Sequence, residues 1–189
     1  MNNEKQEIRA RFLEYRKALS HESVENRSFR IAQKCRALIT PDIHSVLFYV
    51  PINHEVDLLQ FARELVAKKI TVLFPKVIHY EKIEANLVTD FEKDFQMGSY
   101  KIPEPETESF KGPIDIAFVP GIAFGKNGYR IGYGKSYYDR FLFSGAVKLA
   151  VGVCFDFQLM PTVPHTETDY QLDCVFTENE SVAVVRSCS

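Results

Sequence analysis

The run IDIAFVP (114–120) passes directly into GIAFGKNGYRIGYGKSYYDRFL (121–142), and this passage decides how the rest of the chain is read. Its first part is a short apolar run ended by proline, the composition of a strand buried inside a parallel sheet. Its second part gathers Gly121, Gly125, Gly128, Gly132 and Gly134 around Arg130 and Lys135, and closes on Tyr137, Tyr138 and Asp139. Glycine lets a backbone approach a ligand closely, and its N–H groups suit phosphate. The cations add charge, and the tyrosines add flat faces with a polar tip. Helical spacing resumes near Lys135 and continues through Tyr138, Phe141 and Leu142. The passage therefore reads as strand, ligand loop, helix.

Working outward, SVLFYV (45–50) is a second strand, bounded by Pro51. Helical spacing follows over 56–68 through Leu58, Leu59, Ala62, Leu65 and Val66, and ITVLFP (70–75) reads as a strand ending at its proline. Strand, helix, strand in this order is a parallel crossover. VKLAVGVC (147–154) and CVFTE (174–178) add two more strands. The expected fold class is α/β with a mostly parallel central sheet. Glu55 follows the 45–50 strand, at the carboxyl edge where open α/β sheets collect ligands.

Two helices are expected first. Over 4–19, Ile8, Phe12, Tyr15 and Leu19 form an apolar stripe, while Lys5 and Arg9, four apart, share another face. Over 21–39, Ser20 is the N-cap, Val24, Ile31, Cys35 and Leu38 mark the buried side, and Pro41 ends the helix. Residues 76–113 hold one or two edge strands and then a proline- and glycine-rich excursion, MGSYKIPEPETESFKGP (97–113), whose IPEP is extended.

The length of 189 residues suits one domain. A net charge of −2 removes any general electrostatic case for nucleic acid or an anionic membrane. Cys35, Cys154, Cys174 and Cys188 show no zinc spacing. The amino-terminal MNNEKQEIRARF has no apolar signal core, and the chain reads as a cytoplasmic protein with reduced thiols.

Spacing excludes two named phosphate motifs. A P-loop requires GxxxxGK[ST], yet the position five before Gly134 is Tyr129. A dinucleotide GxGxxG begun at Gly132 and Gly134 meets Tyr137 where the third glycine belongs. What remains is Arg130, Gly132, Gly134, Lys135 and Ser136 opening into a helix, a set suited to a polyphosphate. Asp139 lies just beyond, where a Mg²⁺ bridging phosphates takes few protein ligands; Asp169 and Asp173 are the candidates for a second carboxylate.

PGIAFGKNGYRIGYGKSYYDRFL closely resembles the signature of the 5-formyltetrahydrofolate cyclo-ligase family. KQEIR (5–9), the strand with Glu55, the IPEP turn and the late TDYQLD segment fall in the family's order over nearly the whole chain. The resemblance implies a three-layer α/β/α sandwich that uses ATP and Mg²⁺ to close 5-formyltetrahydrofolate into 5,10-methenyltetrahydrofolate, acting on small molecules alone and as a monomer. It implies that Lys5, Arg9 and the loop from Arg130 through Gly132, Tyr133, Gly134, Lys135, Ser136 and Tyr137 to Tyr138 contact ATP, with Arg130 and Lys135 the catalytic cations. Val50, Glu55, Tyr133 and Tyr137 then face the folate, and Asp139 and Asp173 are associated with the metal. Two departures stand out. Ser136 replaces the glycine of the usual GKGYYD, and EVDLL (55–59) lacks the threonine common after the glutamate. Two rival functions share these residues: a sugar-phosphate or nucleotide site on a related scaffold, and a folate-binding protein without catalysis.

Overall fold

The computed structural model describes residues 2–80 and 82–184. Two helices come first, α1 (Asn2–Lys17) and α2 (His21–Arg36). Next are β1 (Ser45–Leu47), α3 (Leu59–Ala67), β2 (Thr71–Ile78) and β3 (Lys82–Leu87). The excursion forms a ribbon of β4 (Phe95–Met97) and β5 (Pro103–Pro105). Then follow β6 (Ile114–Val119), β7 (Ala123–Gly125), β8 (Arg130–Ile131), α4 (Tyr137–Phe143) and β9 (Val147–Val153). The described chain closes with β10 (Leu159–Met160), β11 (Cys174–Phe176) and β12 (Ser181–Ala183).

The large sheet has the order β12-β11-β9-β6-β1-β2-β3. Its interior ladders, from β11 to β2, are parallel, and the strands at both edges are antiparallel. Alternation along the strands sends side chains to opposite faces. Val46, Phe48, Ile116, Phe118, Val151 and Val153 pack with Ile31 and Cys35 of α2 and Phe61 and Leu65 of α3. Leu47, Ala117, Val119 and Ala150 pack on the other side with Leu142 of α4, Phe124 and Leu172. Helices thus cover both faces, which is why β6 is buried along its whole length. α1 lies apart, packing Ile8 and Phe12 on Ile122, Ala123, Ile131 and Val163 around a small sheet of order β10-β7-β8.

Several local expectations change. β2 runs through Pro75 and does not stop there; past Leu73 it is paired only with β3, and a one-sided strand tolerates the missing amide. α2 ends at Arg36, short of Pro41, because Ala37, Leu38 and Ile39 tighten into i→i−3 bonds. Ser20 does cap α2, its Oγ accepting from Ser23 N at 3.2 Å. On α1 the buried stripe turns: Tyr15 is exposed and Arg16 is fully buried, since the four-residue step from Phe12 lands on Arg16. The 121–142 passage is not one loop into a helix. It holds β7 and β8, and α4 begins at Tyr137, two residues later than the spacing suggests. Among the described residues no helix is long and apolar enough to cross a membrane.

Candidate active site

β1 pairs with β2 on one side and β6 on the other, so chain direction across the sheet reverses between β1 and β6. Ligands in open α/β sheets bind outside the carboxyl ends of the strands at such a point. A cleft of about 570 Å³ lies there. Its walls include Tyr49 and Val50 after β1, Pro120 after β6, the 130–139 segment, and Tyr100 and Lys101 before β5.

Lys5, Arg9, Val50 and Glu55 line this cleft, as do Arg130, Gly132, Tyr133, Gly134, Lys135, Ser136, Tyr137, Tyr138 and Asp139. Asp169 also lines it; Asp173 does not. Asp173 immediately precedes β11, and its Oδ2 accepts the Ala150 amide at 2.7 Å, fastening β11 to β9. Of the two late aspartates named from the sequence, Asp169 is the one that reaches the cavity.

Charges at one end of the cleft are arranged in pairs. Lys5 Nζ meets Asp169 Oδ2 at 2.7 Å, and Arg9 Nε donates to the Gly132 carbonyl at 2.7 Å. Both cations of α1 are therefore turned inward, as their four-residue spacing permits. Burial alone would raise Asp169, but Lys5 and the Thr166 amide and hydroxyl hold it below the usual range. Arg130 Nη1 donates to Asp139 Oδ1 at 3.1 Å, with both side chains almost fully buried. Asp139 Oδ1 also accepts from Tyr170 N. Lys135 is exposed, its ammonium 5.9 Å from the Tyr100 ring centre.

Glu55 anchors the other end. It is 4% exposed, and its Oε2 accepts from Ile52 N at 3.1 Å. α3 begins only at Leu59, so the carboxylate is not held by a helix terminus. Its partner is Arg16, whose Nη1 lies 3.3 Å from Oε1. Burial pushes Glu55 up to about 6, and Arg16 opposes that rise. Arg16 Nη2 donates to Tyr133 Oη at 2.6 Å, and Asn53 Nδ2 donates to the same hydroxyl at 3.3 Å. Sequence reasoning missed Arg16. The signal was its seven-residue spacing from Arg9, which places both on one helix face.

Tyrosines form the rim. Tyr137 Oη donates to the Tyr80 carbonyl and shares a hydrogen bond with Tyr100 Oη at 3.0 Å. Burial and the Tyr100 hydroxyl push Tyr137 up to about 12. Tyr100 and Tyr80 were not singled out from the sequence; Tyr100 arrives from the excursion that read as a loop.

Two observations bear on what the cleft can hold. The Nε of Arg130 and the hydroxyl of Tyr138 are buried without a hydrogen-bond partner, a cost that native sites accept where a ligand supplies the partner. A side chain at Gly132 would meet open space, so its backbone stands clear toward the cavity. These features fit a phosphate-bearing ligand. Among the described residues no three His, Cys, Asp or Glu side chains are clustered to hold a metal by themselves. Asp139 and Asp169, each paired with a cation, suit a Mg²⁺ that arrives on phosphate oxygens with its own waters.

Fold and cleft define an α/β protein with a cationic, tyrosine-rimmed ligand cleft at the switch point of its sheet. Residues 1–178 match the model of the 5-formyltetrahydrofolate cyclo-ligase family. A 5-formyltetrahydrofolate cyclo-ligase of Mycoplasma genitalium is 36% identical over 150 residues, covering 77% of this chain and 81% of the relative. The solved structure of the Aquifex aeolicus 5,10-methenyltetrahydrofolate synthetase superposes with a TM-score of 0.83 at 34% identity, covering 98% of this chain and 95% of that one. The corresponding structure from Mycoplasma pneumoniae gives 0.75 at 30% identity, covering 92% and 98%. The chain belongs to the 5-formyltetrahydrofolate cyclo-ligase family, a family of ligases acting in folate metabolism.

Proposed function

We propose that this chain, acting as a single domain and a monomer in the cytoplasm, converts 5-formyltetrahydrofolate to 5,10-methenyltetrahydrofolate with ATP, releasing ADP and phosphate. The observation that carries this reading is the joining of two unlike ends in one cleft. A loop with Arg130 and Lys135 stands at one end, and the buried Glu55 carboxylate at the other. Membership of the family supports this reaction, and the geometry supports a division of labour.

An N-formyl amide is a weak electrophile, and its oxygen leaves poorly. Transfer of the γ-phosphoryl group to the formyl oxygen breaks the bond to the ADP oxygen and forms an imidate-like phosphate. N10 then attacks the same carbon and gives up its proton, which leaves with the phosphate. The C–O bond breaks, phosphate leaves with the former formyl oxygen, and the ring closes. Phosphoryl transfer asks a protein for positioning and charge neutralisation, so no nucleophilic side chain is needed. Lys5, Arg9, Arg130 and Lys135, with the amides of Gly132, Tyr133, Gly134 and Ser136, hold the triphosphate. The free Nε of Arg130 is a donor left for it. Asp139 and Asp169 would hold Mg²⁺, which would supply charge neutralisation at the triphosphate. Glu55 accepts from the amino-pyrimidine edge of the folate, Val50 packs on it, and Tyr133 and Tyr137 flank its ring. Small molecules are the only partners this site calls for, with no nucleic acid or membrane.

The test is direct. Purified protein with ATP, Mg²⁺ and 5-formyltetrahydrofolate should develop the near-ultraviolet absorbance of the methenyl product, with ADP formed one for one. ATP binding without that absorbance would overturn the reading in favour of another phosphate ligand. Folate binding without ADP formation would favour a non-catalytic role.

A further inference from the structure

We propose that Arg16 is a positioning residue for the folate end of the cleft: its guanidinium holds Glu55 and Tyr133 in one arrangement across the switch point. The inference rests on the reading that Glu55 binds the folate.

Arg16 is fully buried in the last turn of α1. It contacts three chain segments at once. Nη1 lies 3.3 Å from Glu55 Oε1, beyond β1, and donates to the Gly121 carbonyl, just after β6, at 3.2 Å. Nη2 donates to Tyr133 Oη, in the glycine-rich segment, at 2.6 Å. The backbone of Arg16 takes part as well, since its carbonyl lies 3.0 Å from His54 Nδ1, next to Glu55 in the chain. The planar fork of a guanidinium can serve acceptors in several directions at fixed geometry, which an ammonium cannot.

A purely structural account fits this poorly. A buried ion pair is often no more stabilising than apolar residues of the same volume, because both charges lose their water. Here Glu55 and Tyr133, two of the groups that Arg16 holds, line the cleft, and Tyr133 remains 44% exposed. Oε2 of Glu55 is turned to the Ile52 amide and Oε1 to Arg16, so the carboxylate has one orientation. α1 carries Lys5 and Arg9 to the other end of the same cleft. One helix thereby sets the separation between the two ends.

Arg16 also sets when Glu55 is charged. The groups around that carboxylate are Arg16 from α1, Tyr49 beyond β1, Tyr133 from the glycine-rich segment, Tyr138 from α4 and the neighbouring His54. Arg16 opposes the rise that burial imposes on Glu55, so its loss lets that rise proceed. A merely structural arginine would leave the acid side of the folate pH profile where it is.

The experiment compares Arg16→Met, Arg16→Lys, Glu55→Gln and the Arg16→Met/Glu55→Gln double variant, measuring both Michaelis constants and the pH profile of kcat/KM for folate. The Met variant should raise the folate KM by about tenfold or more while the ATP KM stays within about threefold. Its acid limb should move to higher pH. The Lys variant keeps the charge, so its acid limb should stay close to wild type while the folate KM still rises. The double variant should bind folate no worse than Glu55→Gln alone, within about threefold, because both changes disable one unit. If Glu55→Gln leaves the folate KM unchanged, the reading of Glu55 fails. If Glu55→Gln raises it and neither Arg16 variant does, the positioning role of Arg16 is overturned. Should the Met variant not fold, the Lys variant decides, since equal rises in both Michaelis constants would mean a scaffold role only.

Discussion

The two edges of the central sheet treat a buried carboxylate in opposite ways. At the amino edge, Asp115 of β6 accepts from the His44 and Ser45 amides at 2.8 and 3.0 Å and from Lys148 at 2.7 Å. Burial alone would raise it, but these donors hold it down at about 2. At the carboxyl edge, Glu55 receives one amide and one long contact to Arg16, and burial holds it up at about 6. Asp115 is satisfied by the protein and ties β1, β6 and β9 together. Glu55, Arg130 and Tyr138 keep capacity in reserve. Left-handed backbone without glycine occurs on both sides of the sheet, at Lys69 before β2 for one, and four such residues, Asn53, Tyr100, Lys101 and Ser136, line the cleft. One edge is built to hold the sheet, and the other to hold something else.

The largest break in that contrast should come from Lys135→Ala. The side chain is exposed, so stability should change little while kcat/KM for ATP falls by about a hundredfold or more. Near-normal turnover would contradict a phosphate role. Glu55→Gln should raise the folate KM by roughly tenfold and the ATP KM much less; the reverse order would sink the assignment.

The pH dependence separates the edges further. In the free protein, kcat/KM for folate should fall as pH drops through about 6, where Glu55 takes up its proton. Protonating Glu55 relieves a buried charge, so the fold gains slightly from it there. Asp115 behaves oppositely. Its contribution to stability is present above the ordinary value of 3.8 and is lost as pH falls toward about 2. The kcat/KM for folate should thus fall reversibly, by up to about tenfold near pH 5, with circular dichroism unchanged.

Asp115→Ala should do the reverse of Lys135→Ala. Leaving buried amides unpaired costs about 1–3 kcal/mol, a drop of several degrees in melting temperature, with folate and ATP KM unchanged. A shift in either KM would show that the two edges are coupled. The smallest effect belongs to Ser136, at φ 51. Ser136→Gly relieves about 1 kcal/mol of left-handed strain, partly offset by the freer unfolded chain. A small rise in melting temperature is expected. A rise in ATP KM would mean that the serine hydroxyl contacts phosphate.

Much of this was legible in the sequence where local pattern and tertiary need agree. The apolar runs at 45–50, 114–120 and 147–154 are strands because a sheet covered on both faces needs continuous apolar segments. The 121–142 passage stood out as a candidate site because glycine, cation and tyrosine rarely coincide for packing alone. Arg16 was not, because its partners lie 39, 105 and 117 residues away and local pattern favoured Tyr15 for the buried position. Pro75 misled because proline ends a strand only where both sides are paired. Asp169 and Asp173 differ by four residues, yet one reaches the cleft through Lys5 while the other is bound into the ladder between β9 and β11. Tyr100 is brought to the cleft by the β4–β5 ribbon, whose short strands carry no strong period.

The most direct measurement follows the formyl oxygen. With 5-formyltetrahydrofolate labelled with heavy oxygen at the formyl group, unlabelled ATP and Mg²⁺, the inorganic phosphate released should carry the label in step with methenyl product. Unlabelled phosphate accompanying full product formation would contradict transfer of the γ-phosphoryl group to that oxygen, and with it the task assigned to the cationic end of the cleft.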